Sequence, residues 1–134
     1  MGYFEVIVLD TCAIIWDALD SSKLSPKAIN AIELNTRELI ISDISIWEIS
    51  MLIKKRRLVV DDSASGFVNL ILQSRNFLIQ EITPEIAELS VNFGSEINND
   101  PADRLIAATS VLGNAPVVTA DENLRAATML ETIW

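Results

Sequence analysis

Short aliphatic runs that alternate with segments of helical periodicity constrain the fold of this chain more than any other feature. The first run, Val6–Leu9, is wholly aliphatic, which is typical of a strand buried on both faces of a parallel sheet. Between the runs, apolar residues recur every three or four positions, as in amphipathic helices. The predicted strands are Val6–Leu9, Leu39–Ile41, Phe77–Ile82, Pro116–Thr119 and Glu131–Ile133. This alternation predicts an α/β fold, a three-layer α/β/α sandwich around a central parallel sheet.

Length and composition suit a single domain. The chain has 134 residues, of which 50% are hydrophobic, so we expect one domain, residues 1–134, with one substantial core. Its apolar runs are far shorter than the roughly 20 residues that cross a bilayer, and the N-terminus lacks a basic segment followed by a long apolar one. We therefore expect a cytoplasmic protein without a membrane partner. The single cysteine, Cys12, cannot form an internal disulfide and is expected to be buried.

The chain contains no histidine. This excludes Ser-His-Asp and Cys-His nucleophile systems, HExxH zinc sites and the commonest general base. Any chemistry has to use carboxylates, hydroxyls, Lys, Arg or a metal ion. The formal net charge of −9 also argues against general affinity for nucleic acid, because such binding normally depends on Lys and Arg that neutralise phosphates. A nucleic-acid substrate would therefore need a metal ion between itself and the protein.

Four carboxylates follow predicted strands or lie near the start of predicted helices: Asp10, Glu48, Asp103 and Asp121. The ends of parallel strands share one edge of a sheet, where open α/β sheets bind their ligands. Acids gathered there would repel one another by an amount on the order of several kcal/mol unless a cation lay among them. The first hypothesis is a divalent metal site, and hard oxygen ligands suit Mg²⁺ or Mn²⁺.

Each acid also has a purely structural interpretation. Asp10 and Asp121 occupy positions typical of helix N-caps, and Glu48 has the position of an ordinary solvated helix residue. Asp100 and Asp103 have the spacing of a reciprocal capping pair, so one of them is expected to be purely structural. We assign that role to Asp100, which directly precedes a proline.

Four ordered motifs resemble those of PIN-domain ribonucleases, in particular the VapC-type toxins of prokaryotic toxin-antitoxin operons. The resemblance extends from about residue 6 to residue 134, and the motifs are Val-Leu-Asp10-Thr-Cys-Ala, Ser45-Ile-Trp-Glu48-Ile, Asp100-Pro-Ala-Asp103-Arg-Leu-Ile-Ala-Ala and Val-Val-Thr119-Ala-Asp121. It implies a small α/β/α domain that hydrolyses RNA phosphodiester bonds with Mg²⁺ or Mn²⁺, a cognate antitoxin and a homodimer. It also implies the catalytic and metal-binding residues, namely Asp10, Glu48, Asp103 and Asp121, with Thr119 as a supporting hydroxyl.

Cationic residues near the motifs are candidates for RNA contacts. Arg104 either touches phosphate or pairs with the acid four residues before it. The basic run that begins at Lys54 and Lys55 holds four of the ten cationic residues, although a solvated helix end explains it equally well. The predicted substrate-binding residues are therefore Thr119, Arg104, Lys54 and Lys55.

Three other classes of protein are alternatives to the nuclease. A phospho-receiver module needs an acid pair after the first strand and a lysine after a late one, but this chain has only Asp10 there and no lysine beyond Lys55. A phosphatase with an Asp-x-Asp motif would need an acid in place of Cys12. The third class is a degenerate PIN-like domain that only binds a partner, and the intact acids argue against it.

Overall fold

A five-stranded parallel sheet forms the centre of the molecule. The computed structural model describes residues 5–34 and 37–134. Every pair of neighbouring strands in the sheet is parallel, and the spatial order is β3-β2-β1-β4-β5. The strands are β1 (Val6–Leu9), β2 (Glu38–Ser42), β3 (Leu78–Gln80), β4 (Val117–Val118) and β5 (Thr132–Ile133). The predicted α/β fold with a central parallel sheet is confirmed.

Seven α-helices accompany these strands in the described part of the chain. They are α1 (Thr11–Leu19), α2 (Pro26–Glu33), α3 (Asp43–Lys54), α4 (Ala64–Ser74), α5 (Pro84–Asn92), α6 (Pro101–Gly113) and α7 (Glu122–Ala126), and a short 3-10 helix covers Ser21–Lys23. Each α-helix begins after a Ser, Thr or Asp whose side chain accepts a backbone N–H of the first turn. None of these helices is both long enough and apolar enough to cross a membrane.

Side chains that alternate along the strands separate two hydrophobic layers. In β1, Leu9 belongs to a core cluster that includes Ile14 of α1, whereas Val8 packs in a second cluster with Ile106 of α6. The two valines of β4 are divided between the same two clusters. Helices therefore cover both faces of the sheet, which gives the predicted three layers.

The carboxyl edge of the sheet collects the starts of several helices. β1 and β4 are neighbours, with Leu9 paired to Val118, and each is followed almost at once by a helix, α1 or α7. β2 lies on the other side of β1 and continues directly into α3. Helix α6 packs against β1, β2 and β4. This edge is where an open α/β sheet binds its ligands.

Candidate functional site

Asp10 is a buried acid between the end of β1 and the start of α1. Its Oδ1 accepts the backbone N–H of Ala13 at 2.8 Å, and its Oδ2 accepts the hydroxyl of Thr119. These two hydrogen bonds lower its pKa, but burial outweighs them and raises the pKa of Asp10 from 3.8 to about 6, with a further contribution from the charges of Asp103 and Asp121. Asp10 is therefore both the cap of α1 and a member of an acidic cluster.

Thr119 lies behind Asp10 and connects it to the next acid. It is fully buried, and its hydroxyl also accepts the backbone N–H of Asp121 at 3.0 Å. A hydroxyl that has no accessible surface and donates to Asp10 orients the carboxylate and does not reach a substrate. We therefore assign Thr119 the supporting role and not the predicted substrate contact.

Asp121 and Asp103 lie at the starts of two different helices. Asp121 caps α7, with Oδ1 accepting the N–H of Leu124 at 2.9 Å. Asp103 is in the first turn of α6, whose cap is Asp100, as predicted. Burial raises the pKa of Asp103, and the charges of Asp100 and Asp121 raise it further. A hydrogen bond from Asn98 lowers this pKa but does not cancel the increase.

Glu48 is half-buried on α3 and accepts a hydrogen bond from one hydroxyl, which in turn contacts a second hydroxyl. Its Oε1 accepts the hydroxyl of Thr11, and the same hydroxyl lies 2.9 Å from Oγ of Ser45. Burial raises the pKa of Glu48, and the charges of three aspartates add to the increase. Thr11 and Ser45 were not predicted as site residues. Their positions in the sequence could have indicated this role, because Thr11 directly follows Asp10 and Ser45 lies one turn before Glu48 on the same helix.

The four acids interact electrostatically without forming one tight ligand shell. Asp103 and Asp121 raise the pKa of Asp10, and Asp103 and Asp10 raise that of Glu48. Within residues 5–34 and 37–134, no three acidic or thiol side chains stand close enough to hold one ion together. Mg²⁺ usually keeps several waters and takes only one or two carboxylates directly, so it does not need such a shell. These carboxylate oxygens therefore fit a hydrated, hard divalent cation.

Cys12 lies beside the acids, and the expectation that it is buried was wrong. It occupies the second position of α1 at the open edge of the sheet and is exposed. Partial desolvation and then the charges of the four acids raise the pKa of its thiol to about 11. In the metal-free protein the thiol therefore stays protonated at neutral pH.

Arg104 points away from the acids. Its donors bind five backbone carbonyls of the segment before α6, those of Ser90, Phe93, Gly94, Ile97 and Asn98, at 2.8 to 3.3 Å. A guanidinium has five N–H donors, so none is left for a phosphate or for Asp100. Arg104 therefore anchors the segment before α6, and neither of its two predicted contacts is made.

Lys54 and Lys55 are exposed at the end of α3. Lys54 lies six residues after Glu48 on the same helix, a rise of about 9 Å along its axis. The role of both side chains as RNA contacts stays a prediction.

We expect Asp10→Asn to stabilise the metal-free protein at neutral pH. Because the folded-state pKa of Asp10 is near 6 and the ordinary value is 3.8, the folded chain holds this proton more tightly than the unfolded chain does. The resulting stability is fully present below about pH 4 and is lost as the pH rises through about 6, by roughly 3 kcal/mol for this group. Asparagine also caps helices well, so Asp10→Asn should flatten the pH dependence without removing the cap.

Urea unfolding in EDTA between pH 4 and 7.5 measures this effect. Asp61→Asn, which removes an equal charge from an exposed loop position, should keep the pH dependence of the wild type. An Asp10→Asn protein that is less stable than wild type at every pH would mean that Asp10 is only a cap.

Comparisons with known sequences give a matching family model and a similar protein. Residues 7–129 match the sequence model of the PIN-domain family. The chain is also similar to ribonuclease VapC22 from Mycobacterium tuberculosis, with 30% identity over 119 residues that cover 89% of each protein.

Solved structures share the fold. A chain in the crystal structure of VapBC2 from Rickettsia felis bound to a fragment of promoter DNA matches with a TM-score of 0.72 at 18% identity, covering 95% of this chain and 96% of that one. A chain of a toxin-antitoxin complex from Klebsiella pneumoniae matches with a TM-score of 0.65 at 23% identity, covering 92% and 94%. The sequence match, the shared fold and the acidic motifs agree, and the chain belongs to the PIN-domain family.

Proposed function

We propose that this chain is an endoribonuclease that requires Mg²⁺ or Mn²⁺ and acts as the VapC-type toxin of a toxin-antitoxin pair. The observation that carries this proposal is the edge at which Asp10, Glu48, Asp103 and Asp121 interact, in a chain without histidine. The family match and the similarity to a ribonuclease support RNA as the substrate. In this proposal residues 1–134 act as one domain in the cytoplasm.

The carboxylates have oxygens available for a cation. Asp103 accepts its hydrogen bond on Oδ2, Asp121 caps α7 through Oδ1, and Glu48 is held through Oε1. Their second oxygens accept no hydrogen bond from the described residues. These three acids and Asp10 would therefore hold a hydrated metal ion, one or two of them directly and the others through its waters. A bound Mg²⁺ or Mn²⁺ supplies Lewis acidity, which activates water and stabilises negative charge on a phosphate.

The chain's own groups orient the acids and offset part of the cost of their negative charge. Thr119 and the N–H of Ala13 fix both oxygens of Asp10, and the hydroxyl of Thr11 fixes Glu48. Asp10, Asp103 and Asp121 also lie at helix N-termini, where the positive end of the helix dipole offsets part of their mutual repulsion. The edge can therefore stay negative until a cation arrives.

The RNA backbone is proposed to contact the exposed end of α3. Lys54 and Lys55 are followed by Arg56 and Arg57, which makes this the densest positive segment of an otherwise acidic chain. Contacts of this kind bind phosphate without reading the base sequence, and they weaken as salt increases. Arg104 takes no part, because carbonyls use all its donors.

We also propose a cognate antitoxin as partner, and a homodimer as the assembly. The similarity to a chain of VapBC2 and to a chain of a toxin-antitoxin complex supports an antitoxin. An antitoxin segment that carries Arg or Lys would pair with the site carboxylates. Trp47, next to Glu48 and 59% exposed, offers such a segment an apolar contact beside the acids.

Cleavage of RNA in Mg²⁺ or Mn²⁺, and its loss in excess EDTA, is the first expected result. Asp121→Asn should lower the rate by about 100-fold or more, because the loss of a preorganised electrostatic group commonly costs that much. Primer extension on a panel of tRNA and rRNA measures both effects, and Asp61→Asn serves as the matched control at an exposed position outside the site. Undiminished cleavage in EDTA would contradict the metal requirement.

Inhibition by an antitoxin is the second expected result. The protein should co-purify with the product of the adjacent reading frame, and the complex should bind Mn²⁺ more weakly and cleave RNA more slowly than the free protein does. Mn²⁺ titration of the free protein and of the complex measures the competition. A stable complex with unchanged Mn²⁺ affinity and unchanged activity would show that the antitoxin does not act at the acidic edge.

A further inference from the structure

Asn98 lies beside Asp103 with all the polar groups of its side chain in use. Its Nδ2 donates to Oδ2 of Asp103 at 2.9 Å and to Oδ1 of Asn123 at 3.1 Å. Its Oδ1 accepts the backbone N–H of Asp100 at 2.8 Å. These contacts on three sides fix the conformation of the amide.

Asn123 holds Asn98 from the first turn of a different helix. Oδ1 of Asn123 also accepts the backbone N–H of Asn98 at 3.0 Å, and its Nδ2 donates to the carbonyl of Glu96 at 3.1 Å. Asn123 lies two residues after Asp121, the cap of α7, whereas Asn98 precedes α6 and contacts Asp103. The two asparagines, called the amide clamp below, therefore connect the starts of the two helices that carry these acids.

The segment that carries Asn98 is itself anchored. Nε of Arg104 donates to the carbonyl of Asn98 at 2.8 Å, and its other donors bind carbonyls between Ser90 and Ile97. The positive charge of Arg104 is thereby directed to carbonyls and not to the neighbouring Asp103. Asp103 instead receives a hydrogen bond from a neutral amide.

A neutral donor has a specific advantage at a cation site. An amide orients a carboxylate and leaves its negative charge in place, whereas Arg or Lys would neutralise it and compete with the metal. Because Asn98 occupies Oδ2 of Asp103, it leaves Oδ1 without a hydrogen bond from any described residue. The same contact therefore fixes the carboxylate and keeps one of its oxygens available.

We propose that Asn98, held in place by Asn123, is a positioning residue that presents Oδ1 of Asp103 to the divalent cation. The inference rests on the metal site of the proposed function. Hydrogen-bond partners of metal ligands typically contribute about 10- to 100-fold to metal affinity. The amide clamp would thus set how tightly the site binds its cation, although neither asparagine contacts the metal.

Mn²⁺ titration calorimetry on the full chain tests the amide clamp. Asn98→Ala should weaken Mn²⁺ binding about tenfold. Asn123→Ala should weaken it less, because the bond from Asn98 to Asp103 remains. Asn99→Ala is the matched control, since it makes the same change one residue away at an exposed position and should leave the affinity unchanged. Thermal melts without metal report whether each variant is folded.

A double-mutant cycle separates positioning from a general loosening of the loop. If Asn98 acts through Asp103, Asn98→Ala should cause no further loss of Mn²⁺ affinity in an Asp103→Asn background. Fully additive losses of Mn²⁺ affinity, or wild-type affinity in Asn98→Ala, would contradict the proposed role of the amide clamp. If Asn98→Ala does not fold, the Mn²⁺ affinity of Asn123→Ala tests the proposal instead. Wild-type affinity in that variant would contradict the proposed role of the amide clamp. A wild-type protein that binds no Mn²⁺ would instead overturn the metal site itself, and the clamp with it.

Discussion

The burial of carboxylates at one edge of the sheet, together with their mutual repulsion, is the constraint on which the rest of this site depends. Burial and the charges of Asp103 and Asp121 raise the pKa of Asp10 to about 6, and the pKa values of Glu48 and Asp103 are raised as well. The metal-free protein therefore loses folding stability as the pH rises and these acids ionise. A fold that keeps these acids together has to contain groups that offset the repulsion.

Those groups are neutral donors and helix N-termini. Three of the acids each accept a hydrogen bond from a hydroxyl or an amide. Thr119 donates to Asp10, Thr11 donates to Glu48, and Asn98 donates to Asp103. The fourth, Asp121, caps its own helix. Backbone N–H groups and helix dipoles stabilise negative charge without cancelling it, so the edge remains attractive to a divalent cation. The carbonyls that surround Arg104 serve the same end, because they keep a guanidinium away from Asp103.

The features that were predictable from the sequence are those with local causes. Val6–Leu9 is a strand because it is an unbroken aliphatic run, and Asp100 is a cap because it precedes a proline and the apolar helix α6. The four acids were recognised from their order and spacing along the chain. The hydrogen bonding of Asn98 and Asn123 at the site was not predicted, because the two residues are 25 residues apart in sequence and polar residues of this kind are common in any loop. The orientation of Arg104 and the exposure of Cys12 depend on tertiary packing, which no local pattern encodes.

Anomalous diffraction from a crystal of the metal-free protein soaked in Mn²⁺ tests the central claim most directly, because it locates the cation independently of activity. We expect an anomalous peak at the carboxyl edge of the sheet, within direct coordination distance of at least one of the four acids and with waters completing its shell. The same experiment on Asp103→Asn should give a weaker peak. Ordered carboxylates with no anomalous peak beside them at millimolar Mn²⁺ would contradict the assignment of this edge as a metal site.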